Sequence, residues 1–124
     1  MITWLTETDV RAIHQKVVGA GVRDANLLGS AVARPMNLNA YVGESRIHRL
    51  AASYGFGLAC NHPFHDGNKR TALVCVGVFL ELNSWVLSAP EEEAVAAMVR
   101  LADGSWDEET FAAFLLANVT PLTP

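Results

Sequence analysis

The chain has 124 residues, of which 51% are apolar and only 18% are charged, and its formal net charge is −4. This length fits one domain covering residues 1–124 with its own core, and so apolar a composition excludes intrinsic disorder. The net negative charge argues against a protein that wraps a nucleic-acid backbone, because such proteins present a basic face.

The cysteine count and the apolar runs bear on where the protein works. Two cysteines, Cys60 and Cys75, are too few for a disulfide framework or a metal ribbon. No secretion-signal pattern opens the chain, and the most apolar run, Thr71–Leu82, is far shorter than the ~20 residues of a membrane span. We therefore expect a cytoplasmic protein whose partners include neither a membrane nor a nucleic acid.

The N-terminal part of the chain predicts two helices. Thr6–Asp9 has the pattern of a capping box, and the helix that it opens should end at Gly19–Gly21. Asp24 is placed to cap a second helix. We expect this helix to end at Arg34, because the residue before a proline, here Pro35, disfavours helical backbone angles.

The next segment, Met36–Glu44, lacks helical periodicity and contains asparagine and glycine, which predicts a loop or a short hairpin. Tyr41 and Val42 form an apolar pair within it. A third helix should begin at Ser45 and turn one face inward. That face comprises Ile47, Leu50, Ala51, Tyr54 and Leu58.

The C-terminal half also predicts helices. Thr71–Leu82 is apolar on nearly every side, so we expect a helix in the middle of a bundle rather than a buried strand. Trp85–Leu87 should be extended. Ser88–Glu91 and Ser105–Glu108 resemble capping boxes that open two more helices, the second ending at Asn118 before a fraying tail. The predicted fold is all-α, a compact bundle of five to six helices around a central buried helix, with a small loop or hairpin flap.

The chemically richest segment is His62–Arg70. Gly67 lets the backbone turn tightly, and the helix beginning near Asn68 presents unpaired amides and the positive end of its dipole, which suit an anion. Lys69 and Arg70 add positive charge at this end, which costs about 0.3–1 kcal/mol each against the dipole. A bound phosphate would offset this cost.

Two further groups complete a candidate site for group transfer. Asp66 is poorly placed beside a phosphate unless it binds a divalent cation, and Mg²⁺ favours such oxygen ligands. His62, just before the helix, can accept a proton from a hydroxyl nucleophile. Together these residues predict phosphoryl or nucleotidyl transfer from a magnesium-bound nucleotide.

The same nine residues, HPFHDGNKR, resemble the H-x-F-x-[DE]-[GA]-N-[GK]-R signature of the Fic/Doc superfamily. Lys69 stands where most Fic enzymes have glycine, and Leu73 where many have a second arginine. The chain is therefore most similar to the death-on-curing (Doc) toxins. Gly67 departs toward the Fic enzymes, since the founding Doc sequence has alanine there, and this leaves the reaction type open.

The resemblance implies a role for each matched residue. His62 would be the catalytic base for a target hydroxyl, Asp66 would bind Mg²⁺, and Phe64 would anchor the loop. The side chains of Asn68 and Arg70, with the backbone amides of Gly67 to Lys69, would form an anion nest for the phosphates of ATP.

The Doc branch also implies a reaction and partners. Doc toxins resemble kinases that transfer the γ-phosphate of ATP to a threonine of elongation factor Tu and so stop translation. Lys69 fills the place where an AMP-transferring Fic enzyme seats a phosphate, which favours the kinase reaction over AMP transfer. Met36–Glu44 would be the flap that aligns the target, with Tyr41 and Val42 docking it. We expect a separate antitoxin to inhibit in trans by binding an apolar groove.

Two alternatives belong to other classes. His65-Asp66 is the doublet of HD metal phosphohydrolases, with His48 upstream, but such a site needs further ligands, and Asp103 and Asp107 lie at predicted caps or turns. A non-catalytic module would use the anion nest only to dock a ligand or an antitoxin. The intact set of motif residues argues against this second alternative.

Overall fold

The computed structural model describes residues 1–19 and 21–123, and within them six α-helices and one small two-stranded sheet form the architecture. The structure is 68% helical, so the all-α prediction is confirmed. In chain order the elements are α1 (Glu7–Val17), α2 (Ala25–Asn37), a π-helical turn (Leu38–Val42), α3 (Ile47–Asn61), α4 (Asn68–Leu82), β1 (Trp85–Leu87), α5 (Glu91–Asp103), α6 (Glu108–Asn118) and β2 (Val119–Pro121).

The centre of the bundle is α3, which packs against α2, α4, α5 and α6. Small residues allow these close approaches: a Cβ on Gly57 would lie 3.1 Å from the Ala31 backbone, and one on Gly55 would lie 2.9 Å from the Phe111 ring. Thr71–Leu82 is a helix rather than a strand, as predicted, but the central helix is α3 and not this one. The helix α4 buries one side, which includes Thr71, Cys75 and Phe79, and leaves Val74 and Leu82 exposed. Among the helices described, none is long and apolar enough to cross a membrane.

Local capping signals explain where the first two helices begin. The Thr6 hydroxyl accepts a hydrogen bond from the Asp9 amide at 3.2 Å, and the Asp9 carboxylate accepts one from the Thr6 amide at 2.8 Å. The predicted capping box is thus confirmed, and α1 ends before Gly19, with Ala20 outside the described residues. Asp24 caps α2 as predicted, since its carboxylate accepts hydrogen bonds from two first-turn amides.

The helix α2 does not end at Arg34, as the local effect of a proline predicted. It continues through Pro35 to Asn37, and the π-helical turn follows it directly. This turn ends at Gly43, which has a left-handed φ of 80°. Pro35 is buried within the bundle, so packing outweighs the local preference of the preceding residue. The predicted loop or hairpin flap is therefore a helical extension, and α3 begins after Ser45, at Ile47.

The C-terminal capping predictions are wrong in detail, although both helices form. Ser88 does not cap α5, since its hydroxyl donates to the Asn118 carbonyl at 2.9 Å. α6 is capped by Asp107, whose carboxylate accepts from the Thr110 amide at 2.7 Å, rather than by a serine. The predicted fraying tail instead forms β2, which pairs antiparallel with β1. Pro124 lies outside the described residues.

Candidate functional site

The segment that joins α3 to α4 lines an open cavity of about 670 Å³ at the start of α4. The structure therefore brings together the motif residues that the sequence singled out for chemistry. Those lining the cavity are His62, His65, Asp66, Gly67, Asn68, Lys69 and Arg70.

His62 ends α3 in a left-handed backbone conformation, with φ 51° and ψ 55°, which L residues other than glycine rarely adopt. Its carbonyl accepts two hydrogen bonds from the Arg23 guanidinium, from Nε at 2.9 Å and from Nη2 at 2.6 Å. The amides of Arg23 and Asp24 also donate to the Pro63 carbonyl. The α1–α2 connection thus holds the backbone that exposes the His62 side chain. Arg23 was not singled out from the sequence.

The motif loop is held against α1 by the stacked rings of Phe64 and His14. Phe64 is buried, which confirms its predicted role as an apolar anchor, and its ring stacks on His14 with the centroids 3.6 Å apart. His14 Nε2 lies 3.0 Å from the Asp66 carbonyl, which can only accept, so Nε2 carries the proton. His14 therefore supports the loop that carries Asp66.

Asn68 closes the loop with its side chain. Its Oδ1 accepts from the Phe64 amide and its Nδ2 donates to the Phe64 carbonyl, both at 3.0 Å. These two bonds fix the turn between Phe64 and the first residue of α4. A phosphate contact by the Asn68 side chain stays a prediction.

The first turn of α4 presents free backbone amides. Gly67 precedes the helix with φ 75° and provides no side-chain cap, and its own amide donates to Asp66 Oδ1 at 2.8 Å. The first helical bond of α4 is donated by Thr71 to the Gly67 carbonyl. Within the described chain, the amides of 68–70 have no partner, so the free amides begin one residue after the set predicted from the sequence, Gly67 to Lys69.

The exposed carboxylate of Asp66 fits a magnesium ion that is shared with a nucleotide. Residues 1–19 and 21–123 contain no group of three or more histidine, cysteine or acidic side chains that could hold a metal alone. Mg²⁺ typically takes one or two carboxylates and completes its shell with phosphate oxygens and water. An HD-type phosphohydrolase, which needs several protein ligands on one metal, finds no such set here.

Comparison with known proteins places this geometry in a family. The model of the Fic/DOC family matches residues 4–80, which is more than half of the chain and includes the whole motif. The chain belongs to the Fic/DOC family. It is also 43% identical over 72 residues to Toxin Doc of Mycolicibacterium smegmatis, an alignment that covers 55% of this chain and 53% of that protein. The chain thus spans about half the length of this curated relative.

The same cavity of this Fic/DOC domain also has an apolar wall contributed by α4 and α5. Three valines on this wall are partly exposed: Val74 at 37%, Val95 at 47% and Val99 at 42%. Leu73 and Met98 complete it. A groove with this composition lies directly beside the motif, where the sequence predicted only that some apolar groove would exist.

Tyr41 and Val42 lie apart from the nest of the Fic/DOC motif. Both are highly exposed on the π-helical turn, and both line a second cavity of about 520 Å³. Asn61 lines this second cavity, whereas the next residue, His62, lines the first. The two cavities therefore lie next to each other at the C-terminal end of α3.

Proposed function

We propose that this protein is the toxin of a toxin–antitoxin system and that it transfers the γ-phosphate of magnesium-bound ATP to a hydroxyl of a target protein. Membership of the Fic/DOC family and the resemblance to Toxin Doc support a toxin. The observation that carries the proposal is the start of α4, where three free amides and two cationic side chains surround one cavity with His62 and Asp66. Such a site favours the phosphates of a nucleotide.

The polar groups at the start of α4 and in the loop before it have separate roles in this proposal. The free amides of 68–70 and the Arg70 guanidinium bind phosphate oxygens. Asp66 holds Mg²⁺, which when bound supplies neutralising charge beside the phosphates. His62 accepts the proton of the attacking hydroxyl on its exposed imidazole. The Arg23 guanidinium donates to the His62 carbonyl and so holds the backbone that carries this imidazole.

One residue favours phosphate transfer over AMP transfer, and the residue that could argue for AMP transfer has another explanation. Lys69 places a cationic side chain where AMP-transferring relatives seat a phosphate. The glycine at 67, which resembles the Fic pattern, has a packing explanation in this chain, because a Cβ there would lie 2.1 Å from Val18 Cγ2. Gly67 therefore does not argue for AMP transfer. We propose a threonine of elongation factor Tu as the acceptor, with the turn bearing Tyr41 and Val42 docking it.

The reaction is tested with ATP labelled at either the α- or the γ-phosphate, incubated with Mg²⁺ and purified elongation factor Tu. We expect label on the acceptor only from the γ position. His62→Ala should abolish transfer, whereas His48→Ala, the same change at a histidine of α3 that lines neither cavity, should retain most of it. Label from the α position would replace the kinase proposal with AMP transfer, and full activity in His62→Ala would overturn the assigned base.

We propose that the antitoxin covers the apolar wall of the same cavity. An amphipathic segment that packed on Val95 and Val99 would bury their exposed surface and obstruct the approach to the nest. Val95→Gln, which adds no charge to the cavity, should weaken inhibition by the product of the neighbouring gene while transfer without antitoxin persists. Leu116→Gln, at an exposed apolar position on α6, is the control. No effect of that gene product on melting temperature or activity would count against the proposal.

A further inference from the structure

The second cavity lies between α2, the π-helical turn, α3 and the start of α6, and it has a cationic interior. Glu108 is the first residue of α6 and is largely buried there. One of its carboxylate oxygens accepts from Arg34 and the other from Arg49, and all three side chains line the cavity. Two guanidinium groups facing one carboxylate leave an excess of one positive charge.

Two polar groups beside this cluster lack partners. Ser53 lines the cavity and is completely buried, yet its hydroxyl makes no hydrogen bond to any residue that the structure describes. Arg34 is partly exposed, with 39% of its side chain accessible, but its Nε atom is buried and also lacks a partner among the described residues. The Arg34 guanidinium lies 4.7 Å above the Phe56 ring. Buried polar atoms are nearly always paired, so unpaired donors beside a net positive charge indicate a site for an acceptor.

The rim of the cavity indicates what kind of molecule carries this acceptor. Tyr41 is 85% exposed and Val42 is 74% exposed, and both line the cavity next to the charged cluster. An apolar rim over a cationic interior complements an acidic side chain that is flanked by an apolar residue on a polypeptide.

We propose that this cavity binds the carboxylate of a glutamate or aspartate side chain in a docked polypeptide segment, with Tyr41 and Val42 packing on an adjacent apolar residue. Because Asn61 lines this cavity and His62 lines the next, the segment lies beside the motif. The inference that this docked segment belongs to the phosphate acceptor rests on the proposed function. The inference that the cavity binds a carboxylate is independent of the proposed function.

The test uses three probes and the protein without nucleotide. N-acetyl-Leu-Glu-amide, N-acetyl-Leu-Gln-amide and inorganic phosphate are titrated while NMR follows the Nε–H resonances of Arg34 and Arg49. We expect the glutamate dipeptide to shift these resonances and to bind at least tenfold more tightly than the glutamine dipeptide. Equal affinity of the two dipeptides, or no shift at Arg34, overturns the proposal. Phosphate shifting these resonances as strongly as the glutamate dipeptide would also overturn it, in favour of a general anion site.

Two variants separate binding from folding. Ser53→Ala removes an unpaired hydroxyl without disturbing the ion pairs, and we expect an unchanged fold with at least threefold weaker binding of the glutamate dipeptide. Arg34→Lys keeps the charge opposite Glu108 but removes Nε, and it should weaken binding similarly. Leu116→Ala, exposed elsewhere on α6, should bind as the unaltered protein does. Unweakened binding in Ser53→Ala and Arg34→Lys contradicts the assigned donors. If dipeptide binding persists while labelled ATP shows no transfer, only the proposed function fails.

Discussion

At the scale of single residues, the motif depends on contacts from α1 and from the connection that follows it. Gly67 has a φ of 75°, and a Cβ there would lie 2.1 Å from Val18 Cγ2. Arg23 donates twice to the carbonyl of His62, which is itself in a left-handed conformation. The position of the candidate base and the shape of the nest are therefore determined by side chains that lie outside the nine-residue motif.

Gly67→Ala should lower the free energy of unfolding by about 2–4 kcal/mol, because it combines left-handed strain with overpacking against Val18. Denaturant unfolding measures this loss. Adding Val18→Ala should restore part of it, since only the steric contribution is relieved. A neutral Gly67→Ala, or no recovery in the double variant, would contradict the packing explanation for glycine at this position.

Arg23→Ala should lower kcat for transfer while leaving KM for ATP nearly unchanged, because it frees the His62 backbone without touching the nest. We also expect a loss of about 1–2 kcal/mol in unfolding free energy from the two charge-assisted hydrogen bonds. Steady-state kinetics and denaturant unfolding provide the two measurements. Arg11→Ala, at an exposed arginine on α1, is the matched control. Equal kinetics for the two variants would show that Arg23 does not position His62.

At the scale of elements, one buried hydroxyl on the central helix α3 forms hydrogen bonds to the N-terminal segment that precedes α1. Tyr54 Oη accepts from the Leu5 amide and donates to the Leu5 carbonyl, both at 3.0 Å. Burial raises the pKa of Tyr54 from 10.0 to about 12. Since the unfolded chain loses this proton first, the stability that Tyr54 contributes is complete below pH 10 and is lost as the pH rises toward 12.

This pH dependence can be isolated because the chain has only two tyrosines. In a Tyr41→Phe background, tyrosinate absorbance should appear only near pH 12, together with unfolding. Adding Tyr54→Phe should remove this component of the alkaline loss. Burial also raises the pKa of Cys75 to about 12, but this contribution is common to both variants and cancels. Ionisation of Tyr54 near pH 10 in a protein that is still folded would contradict the assignment.

The elements also show what the sequence could and could not predict. The Thr6–Asp9 capping box, the Asp24 cap and the start of α4 follow from neighbouring residues, and the structure confirms them. The end of α2 was wrong because the burial of Pro35 depends on a helix from elsewhere in the chain. Arg23 could not be predicted for the same reason, since its partner His62 is 39 residues away.

At the scale of the whole molecule, charge and apolar surface are distributed around the motif. Residues 44–70 carry a net charge of +2 and residues 71–124 a net charge of −7, so the overall −4 conceals a cationic segment that ends in the motif. Some of the many apolar side chains are exposed at the surface. They lie on the α4–α5 wall of the first cavity and at the rim of the second cavity. The nucleotide, the target and the regulator proposed for this chain would then bind to adjoining surfaces.

Calorimetric titration of ATP tests most directly whether the start of α4 binds the phosphates of a magnesium-bound nucleotide. We predict binding that requires Mg²⁺ and that weakens about tenfold or more in Arg70→Gln, because a charge-assisted hydrogen bond to phosphate is lost. Arg11→Gln, the same change on the exposed surface of α1, should bind as the unaltered protein does. An affinity that is unchanged in Arg70→Gln and indifferent to Mg²⁺ would contradict the account.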